Sequence, residues 1–163
     1  MFYLLPVGHE HCVTLKDELK KDSLIVFRSD KYRFKKDCHP DTDHSCVRLY
    51  DCKENIVLHI GFRRGQNKIV FNSKTAKGAW GAEESCALDG AFKGEDVTIT
   101  VYDHGDHFQI LCDYRTVHYY KKQCNENIKV ISYDANDGND PVFSGTLALD
   151  TYASFAKFVP CDD

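Results

Sequence analysis

Apolar and polar residues alternate with a period of two over much of this chain. Within Ile56–Arg63 the residues Ile56, Leu58, Ile60 and Phe62 share one parity, and His59, Gly61 and Arg63 take the other. A β-strand with that pattern buries its apolar side and offers an imidazole and a guanidinium on the opposite face. Residues 69–72 repeat the arrangement, with Ile69 and Phe71 on one face and Val70 and Asn72 on the other. The segment between them, Arg64-Gly65-Gln66-Asn67-Lys68, is a short polar connection containing glycine, as hairpins use. Pairing the two strands as neighbours sets Asn72 beside His59 and Arg63. A polar turn over residues 73–78 follows, and then Trp80-Gly81-Ala82-Glu83, which adds an aromatic plate and a carboxylate.

The rest of the chain follows the same rhythm. A first strand with a histidine-rich interruption is expected over residues 1–15, and further short strands over 24–27, 47–50, 97–102, 108–112, 116–120, 128–133 and 142–150. Residues 16–21 carry alternating charges but fall short of the ~12 that a helix needs to stand unaided, so they read as a loop. Residues 29–45 are the least regular, 136–141 form a turn cluster, and 151–163 a tail. About ten strands, with no strong helical period, predict an all-β fold, an antiparallel two-sheet β-sandwich.

Length and charge narrow the class. The 163 residues suit one domain spanning residues 1–163. The net charge of -4 excludes a nucleic-acid partner, which requires clustered excess Lys and Arg. No apolar run approaches the ~20 residues that cross a bilayer, so no membrane insertion is expected. The opening residues 1–7 run directly into Gly8-His9-Glu10-His11 and read as neither a signal peptide nor an anchor. On that reading the eight cysteines are reduced thiols of a cytoplasmic protein, for which leaderless export to the extracellular space or cell wall stays open. Cys112 shares the parity of Phe108 and Ile110 and is expected in the core.

Two clusters invite other chemistry. Cys38-His39, His44-Ser45-Cys46 and Cys52 contain the ligand types that zinc takes, but no paired Cys-x-x-Cys spacing, and Pro40-Asp41-Thr42-Asp43 between them reads as an exposed turn. A loop without metal or other cofactor is the expectation. Asp103-His104-Gly105-Asp106 resembles a base with its orienting acid, yet no motif places a nucleophile, so it reads as a hairpin turn. A sandwich-based hydrolase needs two positioned carboxylates or a nucleophile and base, and Glu83 has no carboxylate partner on its face.

What remains is a binding face. Imidazole and amide groups donate and accept in fixed directions, guanidinium donates a planar fork, and a carboxylate accepts two hydroxyls at once. An indole beside them covers apolar surface without demanding hydrogen bonds. A pyranose, apolar on one side and ringed by hydroxyls, matches that set.

These residues resemble the galectin signature, which reads His-x-Asn-x-Arg, Val-x-Asn and Trp-Gly-x-Glu-x-Arg. The counterparts here are His59-Ile60-Gly61-Phe62-Arg63, Val70-Phe71-Asn72 and Trp80-Gly81-Ala82-Glu83-Glu84-Ser85. The wider text, including LHIGFRRGQN, IVFNSK and VTITVYDHGDHFQI, is similar to the mushroom galectins from MFYLL to about Tyr133. The resemblance implies a non-catalytic lectin of galectin-like sandwich fold. Its carbohydrate site would be His59, Arg63, Asn72, Trp80 and Glu83, with Arg63 and Glu83 pairing to hold each other in place. Two positions depart, Gly61 replacing the first-motif asparagine and Ser85 the closing arginine. A chitin-oligosaccharide branch of mushroom galectins also lacks that asparagine, but it has lost the tryptophan that this chain keeps. The implied ligand is therefore a β-galactoside first, and a chitin or N-acetylglucosamine oligosaccharide second. The implied partners are cell-surface or cell-wall glycans cross-linked by a homo-oligomer. By resemblance that is a tetramer, for which the apolar tail residues Phe155, Phe158 and Val159 offer an interface.

Overall fold

The computed structural model describes residues 1–6, 11–35, 43–94, 96–135, 140–144 and 146–158. In chain order the strands are β1 (Phe2–Pro6), β2 (His11–Leu19), β3 (Leu24–Ser29), β4 (Ser45–Asp51), β5 (Ile56–Arg63), β6 (Lys68–Lys74) and β7 (Glu84–Ala87). They continue with β8 (Val97–Asp103), β9 (His107–Cys112), β10 (Arg115–Lys121), β11 (Ile128–Asp134) and β12 (Thr146–Tyr152), and one helical turn, α1 (Phe155–Phe158), follows. They form two six-stranded antiparallel sheets, β1-β12-β3-β8-β9-β10 and β2-β11-β4-β5-β6-β7.

Period-two alternation decides which side of each sheet is buried. From the second sheet Val47 and Leu49, Leu58, Ile60 and Phe62, Ile69 and Phe71, and Ile131 and Tyr133 enter the core. There they meet Ile25, Phe27, Ile99, Val101, Phe108, Ile110, Leu147 and Leu149 of the first sheet. Each such side chain contributes roughly 1.5–3 kcal/mol by leaving water, so a one-residue slip of any central strand would cost several of these at once. Cys112 is among them, 2% exposed.

The structure departs from the pattern in places where charge or irregularity hid a strand. Residues 1–15 are two strands, β1 and β2, lying in different sheets. Strand β2 continues through Lys16–Leu19, which read as a loop, because Leu15 and Leu19 are buried while the charged residues between them face outward. Strand β7 is a short edge strand without apolar alternation, so the pattern does not mark it. Ser73 and Lys74 belong to β6 and not to a turn; Ser73 is buried and its hydroxyl meets the Tyr120 hydroxyl at 2.7 Å. In β5 a register irregularity between Ile56 and His59 carries Val57 into the core cluster, which Ile56 does not join. The last strand starts at Thr146 and extends to Tyr152, while Phe143 bridges separately to Tyr32. Most of the turn cluster, residues 136–139, lies outside the described residues, as do Cys38, His39 and Val159. Among the described residues no group of three metal-binding side chains occurs, and no helix is long and apolar enough to cross a membrane.

The β8–β9 connection is the hairpin turn the sequence predicted. Gly105 has φ +101°, a left-handed conformation that side chains disfavour. The Asp103 carboxylate accepts from the Gly105 amide at 2.8 Å and from Lys122 Nζ at 2.7 Å. His104 Nε2 lies 2.8 Å from Gln109 Oε1. The side chains that resemble a catalytic pair thus hold a turn together.

Candidate ligand-binding site

The outward face of the second sheet carries the polar side chains, and strand register decides which of them meet. Ser132 on β11 pairs with Arg48 on β4, Arg48 with His59 on β5, and His59 with Asn72 on β6. One row across four strands therefore runs Ser132, Arg48, His59, Asn72. The row beside it is Gly61, Val70, Ser85. Both departures from the signature fall in that second row, where glycine and serine leave a low strip next to the taller first row.

The loop after β6 completes the face. Trp80 is 42% exposed, and its backbone is anchored by an isolated bridge to Lys74. Gly81 N donates to Ser73 O at 3.0 Å, and Asn72 Nδ2 donates to Gly81 O at 3.0 Å. Asn72 Oδ1 accepts from the Ser73 amide at 2.8 Å, and Asn72 is only 7% exposed. Asn72 therefore sits where register requires, beside His59, but its amide fastens the tryptophan loop to β6. The indole meets the His59 ring edge-on, centroids 5.0 Å apart at 63°. Arg48 Cζ lies 5.7 Å, and Lys74 Nζ 5.9 Å, from the indole centroid, within reach of a cation–π attraction.

Arg63 and Glu83 form a two-pronged pair, Nη2 to Oε1 at 2.6 Å and Nη1 to Oε2 at 3.1 Å, with side chains 31% and 37% exposed. Such a pair is stiff enough to hold its shape and still open enough for its outer lone pairs and N–H groups to meet a ligand. Glu84 turns the other way, its carboxylate 2.9 Å from His118 Nε2 on β10 of the opposite sheet. One carboxylate of the Glu83-Glu84 dipeptide thus faces the site and the other bridges the two sheets.

His59 is held in its neutral form. Burial above all, then the charges of Arg48 and Arg63 and neighbouring His44, pushes its pKa down to about 3, so the ring is neutral at physiological pH. Arg48 Nε donates to His59 Nδ1 at 3.2 Å. A guanidinium is always a donor, so Nδ1 is the acceptor and the ring proton sits on Nε2. A Cβ placed on Gly61 would come within 2.9 Å of that Nε2 and 2.9 Å of Val70 Cγ2. The imidazole leans into space that a side chain at position 61 would need.

All five predicted residues thus cluster on one face. His59, Arg63, Trp80 and Glu83 offer groups outward, and Asn72 braces them. Sequence reasoning passed over Arg48, although its parity on β4, outward between inward Val47 and Leu49, marks it as facing the same side. A neutral imidazole N–H, a paired guanidinium and carboxylate, and an exposed indole together suit a polyhydroxylated ring with one apolar side.

The galactoside-binding lectin family matches residues 14–136. The chain is 38% identical over 160 residues to Galectin-1 of Coprinopsis cinerea, covering 98% of this chain and 99% of that one. Its fold is similar to that of a toad ovary galectin solved with thio-digalactose (TM-score 0.65, 20% identity, 90% of this chain and 100% of that one). It is also similar to that of a tetrameric galectin from the ball sponge Cinachyrella (TM-score 0.59, 24% identity, 90% and 99%).

Proposed function

The chain belongs to the galactoside-binding lectin family, a family of non-catalytic carbohydrate-binding proteins, and from that premise we propose that its second sheet binds β-galactosides through His59, Arg63, Trp80 and Glu83, with Asn72 bracing the tryptophan loop. The observation that carries this reading is the exposed indole of Trp80 beside His59, on the same face as the 2.6 Å Arg63–Glu83 pair. The sugar's apolar side stacks on the indole, its hydroxyls accept from His59 Nε2–H and Arg63, and Glu83 accepts from a hydroxyl of the same or the adjoining residue. The thio-digalactose held by the toad ovary galectin supports this ligand class.

A single shallow sugar site binds weakly, so cross-linking of cell-surface or cell-wall glycans calls for several linked sites. We infer a homo-oligomer, a tetramer like the sponge galectin of similar fold. We further infer a cytoplasmic protein, for which export to the extracellular space or cell wall would give access to its glycans. Light scattering behind a sizing column tests the first, and fractionation of the source cells the second.

Titration calorimetry with lactose, alongside an array carrying both galactosides and N-acetylglucosamine oligomers, tests the specificity. Saturable lactose binding that Trp80→Ala removes is the expected result. Preference for N-acetylglucosamine oligomers, or lactose binding that Trp80→Ala leaves intact, contradicts it.

A further inference from the structure

We propose that Arg48 is a positioning residue of the carbohydrate site: by donating to His59 Nδ1 it fixes the imidazole as the Nε2–H tautomer, leaning over Gly61, and so supplies the directed donor that the missing asparagine does not. The ligand named here rests on the galactoside reading; the role of Arg48 toward His59 does not.

Arg48 and His59 are direct cross-strand partners on β4 and β5, so their side chains rise side by side from the same face. The Arg48 Nε to His59 Nδ1 bond of 3.2 Å admits only one arrangement of protons. A free imidazole samples both tautomers and several ring angles, and one bound through Nδ1 loses that freedom before any ligand arrives. On the other side of the ring, Gly61 leaves open the volume that Nε2 leans into, since a Cβ there would stand 2.9 Å away. Contacts under 3.0 Å force a displacement, and here the displaced groups are Val70, 1% exposed, and a ring already held by Arg48. Arg48 also lies 5.7 Å from the Trp80 centroid, so one side chain bonds the donor and sits within cation–π range of the stacking plate. Glycine at 61 and arginine at 48 therefore act as a matched pair, and His59 takes over the ground where the signature places an asparagine.

A counterintuitive result follows: Gly61→Asn, which restores the signature, weakens lactose binding because it drives His59 off its position. The decisive experiment uses the full chain with 15N-labelled histidine and long-range nitrogen–proton correlation at pH 7. In the wild type His59 should show a bare Nδ1 and a protonated Nε2. In Arg48→Met, which keeps the apolar stem and removes the donor, the two nitrogens should average toward a tautomer mixture, with lactose affinity reduced about tenfold or more. Should that variant fail to fold, Arg48→Leu, which likewise carries no donor, is read in the same way. An unchanged His59 tautomer after loss of the Arg48 donor overturns the proposal, whether or not affinity falls; so does tighter lactose binding by Gly61→Asn. A shifted tautomer in a protein whose wild type binds no lactose upholds the Arg48 role and refutes the galactoside reading instead.

Discussion

Arg63 and Arg64 are adjacent in the chain, and each makes a two-pronged bond to a carboxylate, yet they do opposite work. Arg63 ends β5 on the outward face, pairs with Glu83, and keeps 31% of its side chain exposed. Arg64 opens the connection to β6 and is 1% exposed, its Nε and Nη2 bound to Asp43 at 2.7 Å each. Its remaining donors reach Arg33 O at 2.9 Å and Asp140 O at 2.6 Å. Burial separates the two roles. The inner pair is walled from water and ties together three chain segments distant in sequence, whereas the outer pair is preformed but still open to exchange protein contacts for ligand contacts. Identical side-chain chemistry gives a structural clamp in one environment and a binding group in the other.

That contrast can be broken by mutation. Arg64→Ala removes the guanidinium from the buried Asp43 carboxylate and should lower unfolding free energy by about 3–5 kcal/mol, measured by urea denaturation. A loss under ~1 kcal/mol would mean the inner pair is not the clamp described. Glu83→Gln should leave stability within ~1 kcal/mol, because partly exposed pairs contribute little, while lactose affinity falls about tenfold or more in calorimetry. A stability loss matching that of Arg64→Ala would erase the distinction between the pairs. Ser85→Arg, which restores the signature in the second row, should strengthen binding of lactose by a few-fold and of galactose less, and equal gains for both sugars would show that position 85 does not face the second ring. The smallest effect is with pH. His59 stays neutral down to about 3, so lactose affinity per folded molecule should be flat from pH 8 to 5, and a decline centred near 6.5 would contradict the neutral ring. Stability behaves differently. The unfolded chain takes up a proton on His59 near ~6.5 that the folded chain refuses. The contribution of His59 is therefore full above that pH and drains away as pH falls toward the folded value, visible as a falling denaturation midpoint.

The same pair of arginines shows what sequence makes legible. Alternation in β5 and β6 marks which residues face out, and Trp80-Gly81-Ala82-Glu83 follows them closely enough to add an aromatic plate to that face, because both are local properties. Arg64 read as part of a polar connection, since its partner Asp43 lies 21 residues away and a buried ion pair leaves no local trace. Arg48 is hidden for a related reason: its role comes from cross-strand register with His59, which only the assembled sheet sets. Strand β7 and the charged end of β2 were hidden because edge strands need neither apolar alternation nor β-branched residues to pair.

On the proposed reading a saccharide sits on the outward face of the second sheet, against Trp80 and between His59 and the Arg63–Glu83 pair. The most direct test is nuclear magnetic resonance of the 15N-labelled protein titrated with lactose. Saturable shifts concentrated on the Trp80 indole N–H, the Arg63 guanidinium and the backbone of β4 to β6, with the first sheet unmoved, are predicted. Shifts confined to the first sheet, or none at millimolar lactose, would contradict it.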